Sequence, residues 1–331
     1  MHTEYGGEGI EEAPPLAGLE VIEDRAARSI LAENESPDLG FRWSLNPYRG
    51  CYHGCAYCYA RPSHAYLGYG AGTDFDRKIV VKVDAPRLLR ETFAKASWKG
   101  ELIAISGNTD CYQPLEAKYQ LTRQVLEVCA EHRNPVGVIT KGALVARDVD
   151  VLATLSKTAR CRVTISAAFR DDETGRALEP WASPVSKRFA AMRTLADAGI
   201  EVGLSLAPVI PGLNDDAIPE LLARAKDAGA TYAFITLLRL PREVLPIFDE
   251  RLQEALPLRA DKVRSAIREM RGGEMNESTF GARMRGQGER WKTIEQLFRL
   301  HVKRLGLNES ESLAERETTF RRPKRQLALF E

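Results

Sequence analysis

LNPYRGCYHGCAYCYARP, residues 45–62, sets Cys51, Cys55 and Cys58 three and then two residues apart, on a loop that follows a candidate strand near 41–46. Three of the six cysteines thus fall within eight residues. In a chain too sparse in cysteine for a disulfide scaffold, such clustering points to metal. Thiolates are soft ligands suited to zinc or to iron–sulfur iron. Cys111, Cys129 and Cys161 are isolated, so no fourth cysteine stands nearby. Two centres stay open on these residues. Three thiolates can bind three irons of a 4Fe-4S cubane and leave the fourth iron for a small molecule to chelate, which is what catalysis requires. The other centre is a zinc knuckle with His53 or His64 as fourth ligand. Against it, His53 lies inside the tight loop between two ligands, and a lone knuckle rarely heads a long α/β domain.

Outward from this loop, strand and helix patterns alternate. Candidate strands follow at 101–106, 136–140, 162–168, 201–207 and 232–237, with helical patterns at 115–132, 146–157, 186–198 and 216–228, where apolar residues recur at spacings of three and four. Gly199 and Gly229 read as helix stops before strands. The βαβα order argues for a parallel sheet with helical crossovers. Periodicity alone does not separate an incomplete barrel from an open doubly wound sheet. The expected organisation is an N-terminal extension over 1–40, an α/β unit over 41–240, a helical C-terminal region over 241–318 with helices at 259–271 and 289–305, and a flexible tail over 319–331.

The 331 residues suffice for one large α/β domain with extensions, or for two smaller domains. A formal charge of +1, with 44% hydrophobic and 28% charged residues, implies no globally basic nucleic-acid binder, so any basic surface is local. No apolar run approaches the roughly 20 residues that span a bilayer, and the acidic start lacks the layout of a signal peptide. The expectation is a cytoplasmic protein with no membrane partner.

The cysteine spacing, with aromatic Tyr57 just before the last cysteine, resembles the signature of the radical S-adenosylmethionine (SAM) superfamily. The resemblance covers roughly 41–240 and implies a partial (β/α)6 barrel. It also implies a 4Fe-4S cluster on Cys51, Cys55 and Cys58, SAM chelating the open iron, and a one-electron reductant whose electron cleaves the C5′–S bond to give a 5′-deoxyadenosyl radical. In a parallel barrel the reactive groups gather at the carboxyl ends of the strands. Here those ends read SGNTDCYQPLE, ITKG, TISAA and LSLAPVIPGLND, and they resemble the spore photoproduct lyase branch, including the DNA repair photolyase-like proteins. That resemblance implies that Asn108, Thr109 and Asp110 surround SAM's amino group and Lys141 meets its carboxylate. Ser166 would contact the ribose or methionine part, and Tyr57 and Ala207 would line the adenine. Each residue also has an ordinary reading: a solvated loop lysine, a core hydroxyl, a turn. Spore photoproduct lyases carry a hydrogen-donating cysteine on the loop after the second strand, whereas this chain has Gly107-Asn108 there. Cys111, a few residues on, is either that donor or a small buried residue. Tyr48, Tyr52, Tyr59, Tyr66 and Tyr69 either stack on bases or pack around the loop.

The chain ends FRRPKRQLALFE, and Gln326-Leu327-Ala328-Leu329-Phe330 resembles the sliding-clamp-binding motif of bacterial replication and repair proteins. It either docks Leu329 and Phe330 in the clamp's apolar groove or folds back on its own domain. Together these readings give an enzyme of radical SAM type with DNA or a nucleobase lesion as substrate and lyase-like repair as its reaction. The alternatives are radical modification of RNA or protein, and a non-catalytic metal-binding module that reads nucleic acid.

Overall fold

The computed structural model describes residues 18–309 and 317–322. Its main sheet contains β2 (Leu31–Glu33), β3 (Trp43–Leu45), β6 (Ile103–Ile105), β7 (Val136–Thr140), β8 (Cys161–Ser166), β9 (Glu201–Val209) and β10 (Tyr232–Leu237). They lie in the order β10-β9-β8-β7-β6-β3-β2. From β3 to β10 every neighbouring pair is parallel, and β2 adds antiparallel to β3. Spatial order therefore follows chain order, without the reversal that marks a doubly wound sheet. A second, three-stranded sheet has the order β1-β5-β4, from β1 (Glu20–Glu23), β4 (Tyr48–Arg49) and β5 (Lys78–Val81). The stretch expected to be an extension thus supplies a strand to each sheet.

The crossover helices form where the apolar period is clean. Helix Leu121–Glu131 buries Leu121, Val125, Leu126, Val128 and Cys129 on one stripe, and helix Ile218–Asp227 buries Ile218, Leu221, Leu222 and Ala225. The chain leaves two of these helices at Gly199 and Gly229, both with positive φ. On the inner face, Tyr232 lays its ring over Gly203, where a Cβ would come within 2.3 Å of it, and its hydroxyl meets Thr164 Oγ1 at 2.8 Å. Arg162 pairs with Glu201 at 2.6 Å and covers the same ring. These residues plug the amino end of the barrel, so its usable mouth is at the carboxyl ends of the strands.

Helices Leu245–Ala255, Pro257–Met270 and Gly288–Arg304 make up the C-terminal region. The loop between the last two reaches back across the sheet. Arg283 Nε donates to Asp38 Oδ2 at 2.5 Å, Gly281 N donates to Asp38 Oδ1 at 2.7 Å, and Leu237 N donates to Met284 O at 3.2 Å. The open side between β10 and the β2–β3 loop is bridged in this way. Within the expected flexible tail, residues 319–322 are packed instead. Phe320 lies against Phe93 at 5.4 Å between ring centroids, and Arg322 donates to the carbonyls of Phe93, Lys95 and Trp98 at 3.2, 2.7 and 2.9 Å. The five-residue motif at 326–330 lies outside the described residues.

Candidate active site

The cysteine loop is shaped by backbone bonds before any metal is considered. Cys51 N donates to Phe75 O at 3.0 Å, Tyr52 N to Gln113 Oε1 at 2.9 Å, and Ala56 N to Leu178 O at 2.9 Å. The turn into the loop needs Gly50. Its φ is +77°, and a Cβ there would meet His64 Cε1 at 2.8 Å and Phe75 O at 2.9 Å. Arg61, 1% exposed, holds the loop from below. Its guanidinium donates to Cys55 O and Gly54 O, each at 3.1 Å, and to Ala71 O and Gly72 O, each at 3.0 Å, and pairs with Asp76 at 2.9 Å. A planar five-donor fork can serve so many acceptors at once, which an ammonium cannot.

Cys51 and Cys55 are buried and Cys58 is partly so, all three as free thiols. Burial pushes each thiol above its ordinary range, and for Cys51 the Asp110 carboxylate and the neighbouring cysteines add to the rise. Thiolates gathered in this place therefore call for a cation to hold them, and the donor set fits an iron–sulfur group with one open iron. Neither histidine of the zinc reading joins them. His53 Nδ1 faces Asp110 Oδ2 at 3.4 Å, and His64 Nε2 bonds Lys78 O at 2.9 Å. Among the described residues no three His, Cys, Asp or Glu side chains converge on a point where one ion would sit. A cubane asks for something different, because each thiolate takes its own iron.

The strand ends surround this loop. After β6, Asn108 N donates to Asn46 Oδ1 at 3.0 Å, and Thr109 Oγ1 donates to Gly50 O at 2.5 Å. Asp110 Oδ1 accepts from Tyr112 N at 2.9 Å and Thr140 Oγ1 at 2.5 Å, and Oδ2 accepts from Lys141 N at 2.7 Å, with His53 beside it. Burial alone would raise this carboxyl, but His53 and the other donors hold it well below the usual range. A carboxylate offers about four lone-pair sites, and those of Asp110 are filled within the protein. The residue that the resemblance set beside an ammonium locks the end of β6 to the end of β7.

Lys141, at the end of β7, has its Nζ 5.7 Å from the centroid of the Tyr57 ring. Burial works against its charge, but Glu179 and the Cys55 sulfur outweigh it and raise its pKa. Tyr57 is buried and hydrogen-bonds Glu179 through its hydroxyl. Glu179 pairs in turn with Arg188, whose Nη1 donates to Ser166 O at 3.0 Å and whose Nε donates to Ser183 O at 2.7 Å. Ser166 is buried at the end of β8, in register with Ser205 of β9, and Ala207 follows two residues on. Lys141, Tyr57 and the cysteines are thus brought together, with Ser166 tied in through Arg188. Cys111 is fully buried in the core, with its thiol pushed well up by burial.

Sequence reasoning missed Glu179, Arg188 and Arg61. Arg188 carried a signal, since it falls on the stripe of Val185, Phe189, Met192 and Leu195 that the helix buries. A charged residue on an apolar stripe asks for a buried partner.

The sequence matches the family described as the radical SAM superfamily over residues 45–225. An uncharacterized protein of Mycobacterium tuberculosis is 34% identical over 221 residues, which make up 66% of this chain and 65% of that protein. The match therefore spans less than two thirds of the mycobacterial relative. An uncharacterized protein of Methanocaldococcus jannaschii is 27% identical over 74% of this chain and 88% of its own length. Among solved structures, spore photoproduct lyase complexed with dinucleoside spore photoproduct superposes with a TM-score of 0.62 and 16% identity. That superposition covers 93% of this chain and 86% of the lyase. At that identity the likeness speaks for a shared fold.

Proposed function

The chain belongs to the radical SAM superfamily, and on that premise we propose that it is an enzyme acting on DNA or a nucleobase lesion. In this reading Cys51, Cys55 and Cys58 hold the 4Fe-4S cluster, Lys141 meets SAM's carboxylate, and Tyr57, Ser166 and Ala207 line the cofactor. Bound there, the cluster and SAM supply a 5′-deoxyadenosyl radical that abstracts hydrogen from the substrate. The observation that carries the reading is Lys141: a partly buried ammonium beside Cys55 and Tyr57, with no hydrogen bond to Nζ among the described residues. A partly buried cation with three donors unused among the described residues is in place for a carboxylate. Asn108 and Thr109 sit by SAM's amino group, and Asp110 serves the same site by fixing the two strand ends. The shared fold with a lyase solved in complex with a dinucleoside photoproduct supports nucleic acid as the substrate class.

Anaerobically reconstituted wild type should release 5′-deoxyadenosine on reduction with SAM. Lys141→Ala should keep its iron yet bind SAM more weakly by about 1.5–3 kcal/mol, the range for a charge-assisted hydrogen bond. Unchanged SAM affinity in that variant returns Lys141 to the surface lysines.

We further propose that Gln326, Leu327, Leu329 and Phe330 bind the bacterial sliding clamp. The packed segment ending at Arg322 supports a tether here, because it ties the chain to helix Ala85–Ala94 just before the motif. A peptide spanning 319–331 should bind purified clamp in calorimetry, and Leu329→Ala with Phe330→Ala should abolish that binding. No heat at roughly 100 μM, where a contact worth about −5.5 kcal/mol would register, rejects the clamp as partner.

A further inference from the structure

Beyond the end of β10, Arg239 stands at the barrel mouth in an unusual state. Its Nε is buried and has no hydrogen-bond partner among the described residues. Its guanidinium carbon lies 5.7 Å from the centroid of the Tyr59 ring, and Tyr59 follows Cys58 directly in the cysteine loop. Tyr59 is itself pinned, with its hydroxyl donating to Gly107 O at 2.5 Å, yet it remains 51% exposed. The acid in Arg239's field is Asp38, and both of its oxygens are engaged by Arg283 and Gly281. Two arginines thus share one carboxylate, and the positive charge left over sits on the side chain whose donor is unused. Burial and Arg283 both press against that charge, a cost that an incoming anion would relieve.

We propose that Arg239 and Tyr59 form a nucleotide seat at the mouth, with the Arg239 guanidinium receiving a phosphodiester of the substrate and the exposed part of the Tyr59 ring stacking a neighbouring base. The planar fork of arginine matches a phosphate's oxygens, and an aromatic face beside a cation is the pairing that single-stranded nucleic acids use. A base on Tyr59 would lie next to the third cluster cysteine, so the seat also accounts for how a target base reaches the radical. This inference rests on the nucleic-acid reading above and adds to it the residues that would hold the substrate.

The test uses the full chain, reconstituted with cluster and SAM, and two probes: thymidylyl-thymidine and its uncharged methylphosphonate analogue. Wild type should bind the charged dinucleotide tighter than the neutral one by about tenfold or more, the factor expected of a charge-assisted hydrogen bond. Arg239→Gln should erase that preference and Arg239→Lys should keep part of it, while Tyr59→Ala should weaken both probes alike. Iron content and SAM affinity should match wild type in the two Arg239 variants. A charge preference that persists in Arg239→Gln overturns the seat and leaves the nucleic-acid reading standing. A wild type that binds neither dinucleotide overturns that reading and the seat with it.

Discussion

Alanine at Cys51, Cys55 or Cys58 should leave the reconstituted chain without its cluster, with iron falling from about four per chain to background and 5′-deoxyadenosine formation lost. The effect is expected to be all or none, because in the proposed cubane each thiolate would hold a different iron. The fold should survive, since the loop is shaped by bonds that the substitutions leave alone: Arg61 to Gly54 O and Cys55 O, Cys51 N to Phe75 O, and Ala56 N to Leu178 O. Far-ultraviolet circular dichroism should therefore match wild type. Cys111→Ala is the control. Cys111 lies in the core, so its loss should lower stability while iron content stays whole. Stoichiometric zinc in wild type with no iron–sulfur absorption would remove the cubane from the account.

The succession of parallel strands was legible because a barrel strand and its crossover helix each carry their own period. The expected strands at 136–140, 201–207 and 232–237 correspond to β7, β9 and β10, whose buried residues pack against helices of clean apolar stripe. What did not show was structure whose stability comes from partners distant in sequence. β5 at Lys78–Val81 is held between β1 and β4, and β1 falls within the stretch expected to be an extension. Nothing local marks it as the centre of a sheet. In the site, the three cysteines could be read from spacing alone, because metal ligation imposes spacing. Asp110 read as an acceptor for an ammonium. That the chain fills all its lone pairs from β7, Tyr112 and His53 depends on two strand ends meeting, which no single stretch encodes. The pinned and half-exposed Tyr59 likewise looked the same as its four neighbouring tyrosines.

Glu179 was invisible for the same reason, and removing it should have the largest effect on stability of any single change at the site. Its side chain has no exposed surface, and its partner Arg188 is 2% exposed. Burial raises the Glu179 carboxyl, but Arg188 and Lys141 more than offset this, so its pKa lies below the ordinary glutamate value. Its contribution is therefore complete above the unfolded pKa and is lost as pH falls through the lower folded one. Glu179→Leu strands the Arg188 charge in the interior. Breaking a buried pair in this way costs about 3–5 kcal/mol, whereas replacing both partners with apolar residues costs far less. The single variant should accordingly unfold at markedly lower denaturant concentration, and Glu179→Leu with Arg188→Leu should recover much of the loss. The site should suffer as well, because the Tyr57 hydroxyl loses its acceptor and Lys141 loses the acid that favours its charge. SAM affinity in the double variant should thus stay below wild type even where stability returns. Equal stability of Glu179→Leu and wild type would mean that the pair contributes nothing, and full SAM affinity in the double variant would confine its role to the core.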